Sequence, residues 1–155
     1  MGSRIVQAIP VIAGFYLLLV RGRWPGWLSR QIFPDSPAAL RIGLALTFAG
    51  IAFAVWARLW IGRNWSGTVT LKENHELVQT GPYSLVRHPI YSGFLLAFLG
   101  TAIVQGELRA LLGFPLVVLG WWLKLRMEEA FMSEQFGNAY LEYKRRVKAL
   151  VPFVV

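Results

Sequence analysis

Both histidines of the chain fall in one polar stretch, His75-Glu-Leu-Val-Gln-Thr-Gly-Pro-Tyr-Ser-Leu-Val-Arg-His-Pro-Ile-Tyr91. The same seventeen residues hold Glu76, Tyr83, Arg87 and Tyr91, with a Gly81-Pro82 turn and a His88-Pro89 step. Its last residues open an uncharged run from Pro89 to Gly106, so the block brings cations, an acid and phenols to the edge of an apolar span. A second group stands in the tail: Glu128-Glu129, then Phe136-Gly137, then Tyr140 and Tyr143. Charged and aromatic groups at the mouth of a helical bundle are the parts of a site for a polar, charged ligand. The same residue types also anchor helix ends at lipid headgroups, and Arg87, His88 and Tyr91 fit that reading as well.

The stretch HELVQTGPYSLVRHPIYSG resembles the signature of the integral-membrane methyltransferases that include isoprenylcysteine carboxyl methyltransferases and phospholipid (phosphatidylethanolamine) N-methyltransferases. The family's second signature is an acidic pair followed by Phe-Gly and two spaced tyrosines. It appears here as Glu128-Glu129, Phe136-Gly137, Tyr140 and Tyr143, ahead of Val151-Pro-Phe. The two blocks cover roughly residues 62 to 153 in the family's order, while the first sixty residues match only as generic spans. The resemblance implies S-adenosyl-L-methionine as cofactor, with contacts at His75, Glu76, Leu77, Val78, Tyr83, His88, Pro89, Ile90, Tyr91 and Glu128. It also implies a residue beside the substrate four positions before Glu128, an arginine in isoprenylcysteine methyltransferases. Lys124 stands there instead. Lysine keeps the charge and loses the two-pronged grip on a carboxylate. Arg126 offers a second cation from another side of the helix.

Methyl transfer from a sulfonium donor is an in-line displacement, so a protein mainly has to align and desolvate the reactants. A pocket for the donor wants a cation for its carboxylate, an acid for its ammonium or ribose, and aromatic walls. Arg87, His88 and Lys124 supply cations or donors, Glu128 and Glu129 acids, Tyr83 and Tyr91 walls. Lys124, Glu129 and Arg87 are the residues expected to act on the acceptor. A carboxylate acceptor needs only a cation to hold it; a phospholipid amine must lose a proton and needs a base such as Glu129. No G-x-G pattern occurs, so a soluble dinucleotide-type site is not on offer. The competing readings are a phospholipid amine N-methyltransferase, a non-enzymatic four-span protein, and a membrane reductase of the sterol type. Plainer roles exist for single residues. Glu128 and Glu129 could open the last helix as solvated acids, and Tyr140 and Tyr143 read as packing or interface residues. His75 could be a surface loop residue, and Gly81-Pro82 a turn that aims Tyr83.

The elements that must position these groups read as membrane helices. Hydrophobic residues make up 55% of the 155, charged ones 15%, and mean hydropathy is +0.48, more apolar surface than a soluble domain of this size can hide. Cysteine is absent and histidine occurs twice, so disulfides, cysteine nucleophiles and histidine-rich metal clusters are excluded and no metal site is expected. A first span runs from Ile5 to Val20, with Pro10 inside it; a loop over 22–38 follows. Ser36 caps and Pro37 begins a second span reaching Ile61. A polar segment, with weak strand-like alternation at Thr68–Leu71, leads into the signature. Two short runs, 90–106 and 110–123, form a tight hairpin whose Gly93/Gly100 and Gly113/Gly120 spacing predicts close packing. Both runs fall short of the ~20 residues of a full crossing, which suggests an acceptor entering sideways from lipid. From Lys124 on, Met132, Phe136, Tyr140, Tyr143 and Val147 mark one face of an amphipathic tail helix, with Glu134, Glu142 and Lys144 on the solvated side.

The fold expected is therefore an all-α integral membrane protein with about four spans and a C-terminal amphipathic helix. It is a single domain over 1–155, with two N-terminal spans (1–61) and a cofactor-binding and catalytic part (62–155). The net charge of +8 sits at span edges and in the tail, which suits an anionic membrane surface better than nucleic acid. With four spans, eleven Lys and Arg fall on the face of the termini and five on the other, which puts both termini and both blocks in the cytoplasm. The partners expected are membrane lipids and a lipophilic acceptor.

Overall fold

A computed structural model describes residues 2–20, 22–62 and 76–152. They form α1 (Gly2–Leu19), α2 (Pro37–Ile61), α3 (Pro89–Gln105), α4 (Leu108–Phe136) and α5 (Asn138–Arg146), with a short 3₁₀ turn at Gly81–Ser84. Among the described residues β-structure is limited to two isolated bridges, Gln31–Glu107 and Val86–Lys148. The possible hairpin at Thr68–Leu71 lies outside the described residues.

Helix starts follow from local chemistry. Ser36 Oγ accepts the Ala39 amide at 3.1 Å and Pro37 is the first helical residue of α2, as the sequence predicts. Pro89 likewise opens α3, and the His88 carbonyl accepts the Ser92 amide at 3.0 Å. The His-Pro step is a helix start that leaves His88 at its mouth.

The end of α4 corrects the sequence reading. The fourth apolar run does not stop as a short helix at Leu123; the helix is 29 residues long in all and runs on through Lys124 and the acidic pair to Phe136. A change from apolar to charged side chains does not interrupt a backbone, and Lys, Leu, Arg, Met and Glu are all good helix formers. The break comes at Gly137, whose φ of 51° is left-handed and suited to glycine. The amphipathic tail helix is therefore the shorter α5, and Val147 lies beyond it in extended backbone. Nor do Glu128 and Glu129 open a helix, since they lie well inside α4.

Two helices, α2 and α4, are long and apolar enough to cross a membrane; α3 and residues Ala8–Leu19 of α1 are shorter apolar helices. On α2, Phe48 is 68% exposed and Leu59 74% exposed, apolar surface that water would penalise and lipid would not.

The chain divides into two compact units. The first comprises Met1–Gly50 and Leu95–Lys124. Its core is Leu18, Ala102, Ala110 and Val117, ringed by Phe15, Leu95, Phe98 and Trp121. Glycines let backbones meet here: a Cβ on Gly100 would lie 2.4 Å from the Gly43 carbonyl oxygen, and one on Gly14 2.7 Å from that of Gly113. Close packing at Gly100 and Gly113 is thus present, but their partners are α2 and α1 rather than each other's helix. Arg109 is buried, and its Nη1 donates to the Leu17 and Val20 carbonyls at 2.9 and 3.3 Å, meeting the unsatisfied end of α1 with positive charge.

The second unit comprises Ile51–Phe94 and Leu125–Val155. It buries Ala54, Ala57, Tyr83, Val86, Leu125, Tyr140, Tyr143, Ala149 and Leu150. Both signature blocks lie in it, apart from Lys124.

Candidate functional site

The signature loop is shaped by its glycine. Gly81 has φ of 59°, and any Cβ there would meet the Trp60 indole at 2.4 Å. Trp60 Nε1 donates to Thr80 Oγ1 at 3.3 Å, so the end of α2 braces the turn from outside. The turn delivers Tyr83 to the interior, where it is 7% exposed and its carbonyl accepts the Tyr143 hydroxyl at 2.5 Å. Burial pushes the Tyr143 phenol up from its usual range, which keeps it a donor. Tyr140 and Tyr143 are packing residues, as expected, and are buried rather than interfacial.

After the turn the chain pairs with the C-terminal segment. Arg87 and His88 amides donate to the Lys148 and Ala149 carbonyls at 2.8 and 3.0 Å, and Ser92 Oγ to the Leu150 carbonyl at 2.6 Å. This fixes the backbone on which the polar side chains are mounted.

Those side chains converge on the acidic pair of α4. Arg87 Nε donates to Glu129 Oε1 at 2.7 Å, and Nη2 bonds the same oxygen. Arg87 Nη1 bonds the Val147 carbonyl. Lys144 Nζ meets the other oxygen, Oε2, at 2.9 Å. His88 lies between the two acids, its Nδ1 3.8 Å from Glu128 Oε2 and its Nε2 3.4 Å from Glu129 Oε1. It stacks on Tyr91 at 5.8 Å, and the Tyr91 hydroxyl donates to Glu128 Oε1 at 2.7 Å. His88 Nε2 is buried and makes no hydrogen bond.

Glu129 lies beyond the apolar run of α4 and is 8% exposed. Burial acts to raise its carboxyl pKa, but His88, Lys144 and Arg87 beside it outweigh burial and hold it at about 2. It is a fixed anion. A carboxylate so held is a poor proton acceptor near neutrality.

The remaining sequence candidates are more scattered. Pro89 is fully buried, Ile90, Leu77 and Val78 are half-buried, and Glu76 is exposed. His75 lies outside the described residues. Lys124 is half-buried one helical turn before Glu128, and Arg126 is exposed. Lys144, expected on the solvated side of the tail helix, keeps its side chain 36% exposed and also pairs with Glu129. Within α5 it stands four residues after the buried Tyr140, on the edge of the same helix face, which brings its long side chain to the carboxylate.

Residues 38–139 match the phospholipid methyltransferase family. Over 115 residues the chain is 33% identical to protein-S-isoprenylcysteine O-methyltransferase B of Arabidopsis thaliana, covering 72% of this chain and 58% of that protein. It is also 33% identical over 138 residues to the cobalt-zinc-cadmium resistance protein CzcN of Cupriavidus metallidurans, covering 88% of this chain and 56% of that one. The structure of a eukaryotic intramembrane Ras methyltransferase, isoprenylcysteine carboxyl methyltransferase, superposes with a TM-score of 0.62 at 25% identity, covering 98% of this chain and 51% of that one. The chain thus spans between half and three-fifths of the length of these relatives. The matched range takes in α2, the loop block, the acidic pair of α4 and the Gly137 break. This chain belongs to the phospholipid methyltransferase family.

Proposed function

We propose that the protein transfers a methyl group from S-adenosyl-L-methionine to a lipid-modified acceptor at the cytoplasmic edge of a membrane, in the manner of an isoprenylcysteine carboxyl methyltransferase. The observation that carries this reading is the convergence of Arg87, His88 and Tyr91 on Glu128 and Glu129. The group fits the donor in two respects. Glu128 and Tyr91 offer an acid and a ring, and His88 Nε2 is a buried polar atom without a hydrogen-bond partner, a state that a ligand's polar group would relieve. When bound, the donor supplies a methyl group on a positively charged sulfur that a nucleophile takes by in-line displacement.

On this reading His88, Tyr91, Glu128 and Tyr83 hold the donor, with Leu77, Val78, Pro89 and Ile90 as apolar surroundings and Glu76 and His75 on the approaching loop. Arg87 and Glu129 orient them. Lys124 faces the acceptor. Glu129, paired with Arg87 and Lys144 and held at about 2, is suited to fixing the site rather than to taking a proton from an amine. That favours a carboxylate acceptor over a phospholipid amine, as do the isoprenylcysteine relatives.

Helices α1 to α4 are read as four crossings. At ~1.5 Å per residue α1 and α3 reach ~26 Å, just under the ~30 Å of a bilayer core, so both stand nearly upright or end recessed. The excess of basic residues on the side of the termini supports a site on the cytoplasmic side.

The test is methyl transfer by the detergent-solubilised protein from labelled S-adenosyl-L-methionine to a prenylated cysteine analogue or to phosphatidylethanolamine. The prenylated carboxylate should be labelled. Labelling of phosphatidylethanolamine alone would move the assignment to an amine, and labelling of neither would remove it.

A further inference from the structure

The family match ends at residue 139, yet the chain beyond it reaches each part of the candidate site. Tyr143 bonds the Tyr83 carbonyl, and Arg146 Nη2 donates to Gln79 Oε1 at 2.8 Å. The carbonyls of Lys148, Ala149 and Leu150 accept from Arg87, His88 and Ser92. These last are main-chain acceptors that many sequences could supply. Lys144 differs, because there the side chain makes the contact.

The geometry at Glu129 gives Lys144 a specific task. A guanidinium commonly grips a carboxylate with two parallel bonds, one to each oxygen. Arg87 instead directs both Nε and Nη2 at Oε1, while its Nη1 is held by the Val147 carbonyl. Oε2 is turned to Lys144 Nζ at 2.9 Å. The carboxylate thus has each oxygen committed to a different cation, from a loop on one side and from α5 on the other. Its rotation matters to His88, whose Nε2 faces Oε1 at 3.4 Å while Nδ1 faces Glu128. Were Oε2 released, Glu129 could turn to meet the Arg87 fork, and Oε1 would leave its place beside the imidazole.

We propose that Lys144 is a positioning residue for the methyl-donor site: by holding Oε2 of Glu129 it fixes that carboxylate against Arg87 and His88, and so sets the imidazole between the two acids. The proposal rests on the reading of His88 and Glu128 as donor contacts. In this role Lys144 acts on the donor through Glu129, the carboxylate that its Nζ meets. Its side chain is 36% exposed, so its effect comes from the buried carboxylate that it orients and not from a surface ion pair as such.

The test compares Lys144→Met, Lys144→Arg, Glu129→Gln and the Lys144→Met/Glu129→Gln double variant, as full chains in detergent. Affinity for S-adenosyl-L-methionine is read by calorimetry, and the unfolding midpoint is read without ligand. Lys144→Met should weaken the donor roughly tenfold, the scale of one charge-assisted hydrogen bond. Lys144→Arg should restore affinity to within about threefold, since the charge returns. The double variant should bind no more weakly than Glu129→Gln alone, because Lys144 acts through Glu129. Wild-type affinity in Lys144→Met, or independent addition of the two effects, would overturn the proposal. If the unaltered protein fails to bind the donor, the methyl-transfer reading falls. The same cycle on the ligand-free midpoint then decides the clamp: coupling supports it and additivity ends it.

Discussion

Arg87 and Lys144 approach opposite oxygens of a carboxylate that is almost wholly out of water, and the charge balance there has a pH signature. The folded protein holds Glu129 at about 2, below the ordinary 4.5, despite the burial that acts against it. A depressed carboxylate stabilises the fold fully above its unfolded pKa, and that stabilisation is lost as pH falls through the folded one. Removing one partner of a buried ion pair costs about 3 kcal/mol, so Glu129→Gln should lower the unfolding midpoint. The gap between the two proteins should stay constant from pH 7 to 5 and close only as pH drops from 4.5 towards 2. Thermal unfolding at several pH values reads it, and a gap already gone at pH 6 would contradict the assignment. At this scale the sequence displayed the members of the cluster and not their pairing. Arg87, His88, Glu128 and Glu129 were legible as chemistry-bearing types between apolar runs. That Lys144 completes them depends on the direction in which α5 leaves Gly137, which no spacing rule carries.

Helix starts were legible, and helix ends and partners less so. Ser36-Pro37 and His88-Pro89 start helices by mechanisms written in two residues. The stop of α4 is set by one left-handed glycine, and hydropathy pointed instead to Leu123, thirteen residues too early. The glycine spacing on the third and fourth helices announced close packing without naming the neighbour. Gly43 and Gly100 now give that packing a test. A Cβ on Gly100 would stand 2.4 Å from a backbone oxygen and 2.6 Å from Thr47 Oγ1, and backbone cannot move aside as a flexible side chain can. Gly100→Val should therefore destabilise the protein by about 1–3 kcal/mol, read as a lower unfolding midpoint. Unchanged stability would show that α2 and α3 separate easily at this point. Topology is checked at the same scale. Reporters at residue 155 and within 25–35 should localise to opposite sides of the membrane, and both on one side would remove the four crossings.

On the scale of the whole chain, the proposed methyl transfer turns on which atom receives the group, and Lys124 is where the two acceptor classes part. The lysine sits one turn before Glu128 on α4, so the same helix presents the acid assigned to the donor and the cation assigned to the acceptor. The expectation of two short hairpin helices exposing the site to lipid is weakened, since α4 is long and only α3, with 17 residues, stays short. A carboxylate acceptor is anionic before reaction and neutral after it, so a cation beside it binds the substrate and releases the ester. An amine acceptor is cationic until it loses its proton, and a lysine beside it repels. If the acceptor is a carboxylate, Lys124→Ala should raise its KM roughly tenfold, the loss of one charged partner, while donor affinity stays nearly constant. Lys124→Arg should recover most of that loss by restoring charge with a better carboxylate fork. If the acceptor is a phospholipid amine, Lys124→Ala should leave KM unchanged or lower it. Steady-state kinetics of both variants on a prenylated cysteine analogue and on phosphatidylethanolamine separate the outcomes. Efficient methylation of a small water-soluble acid, with neither lipid used, would show that Lys124 recognises a carboxylate without a lipid anchor.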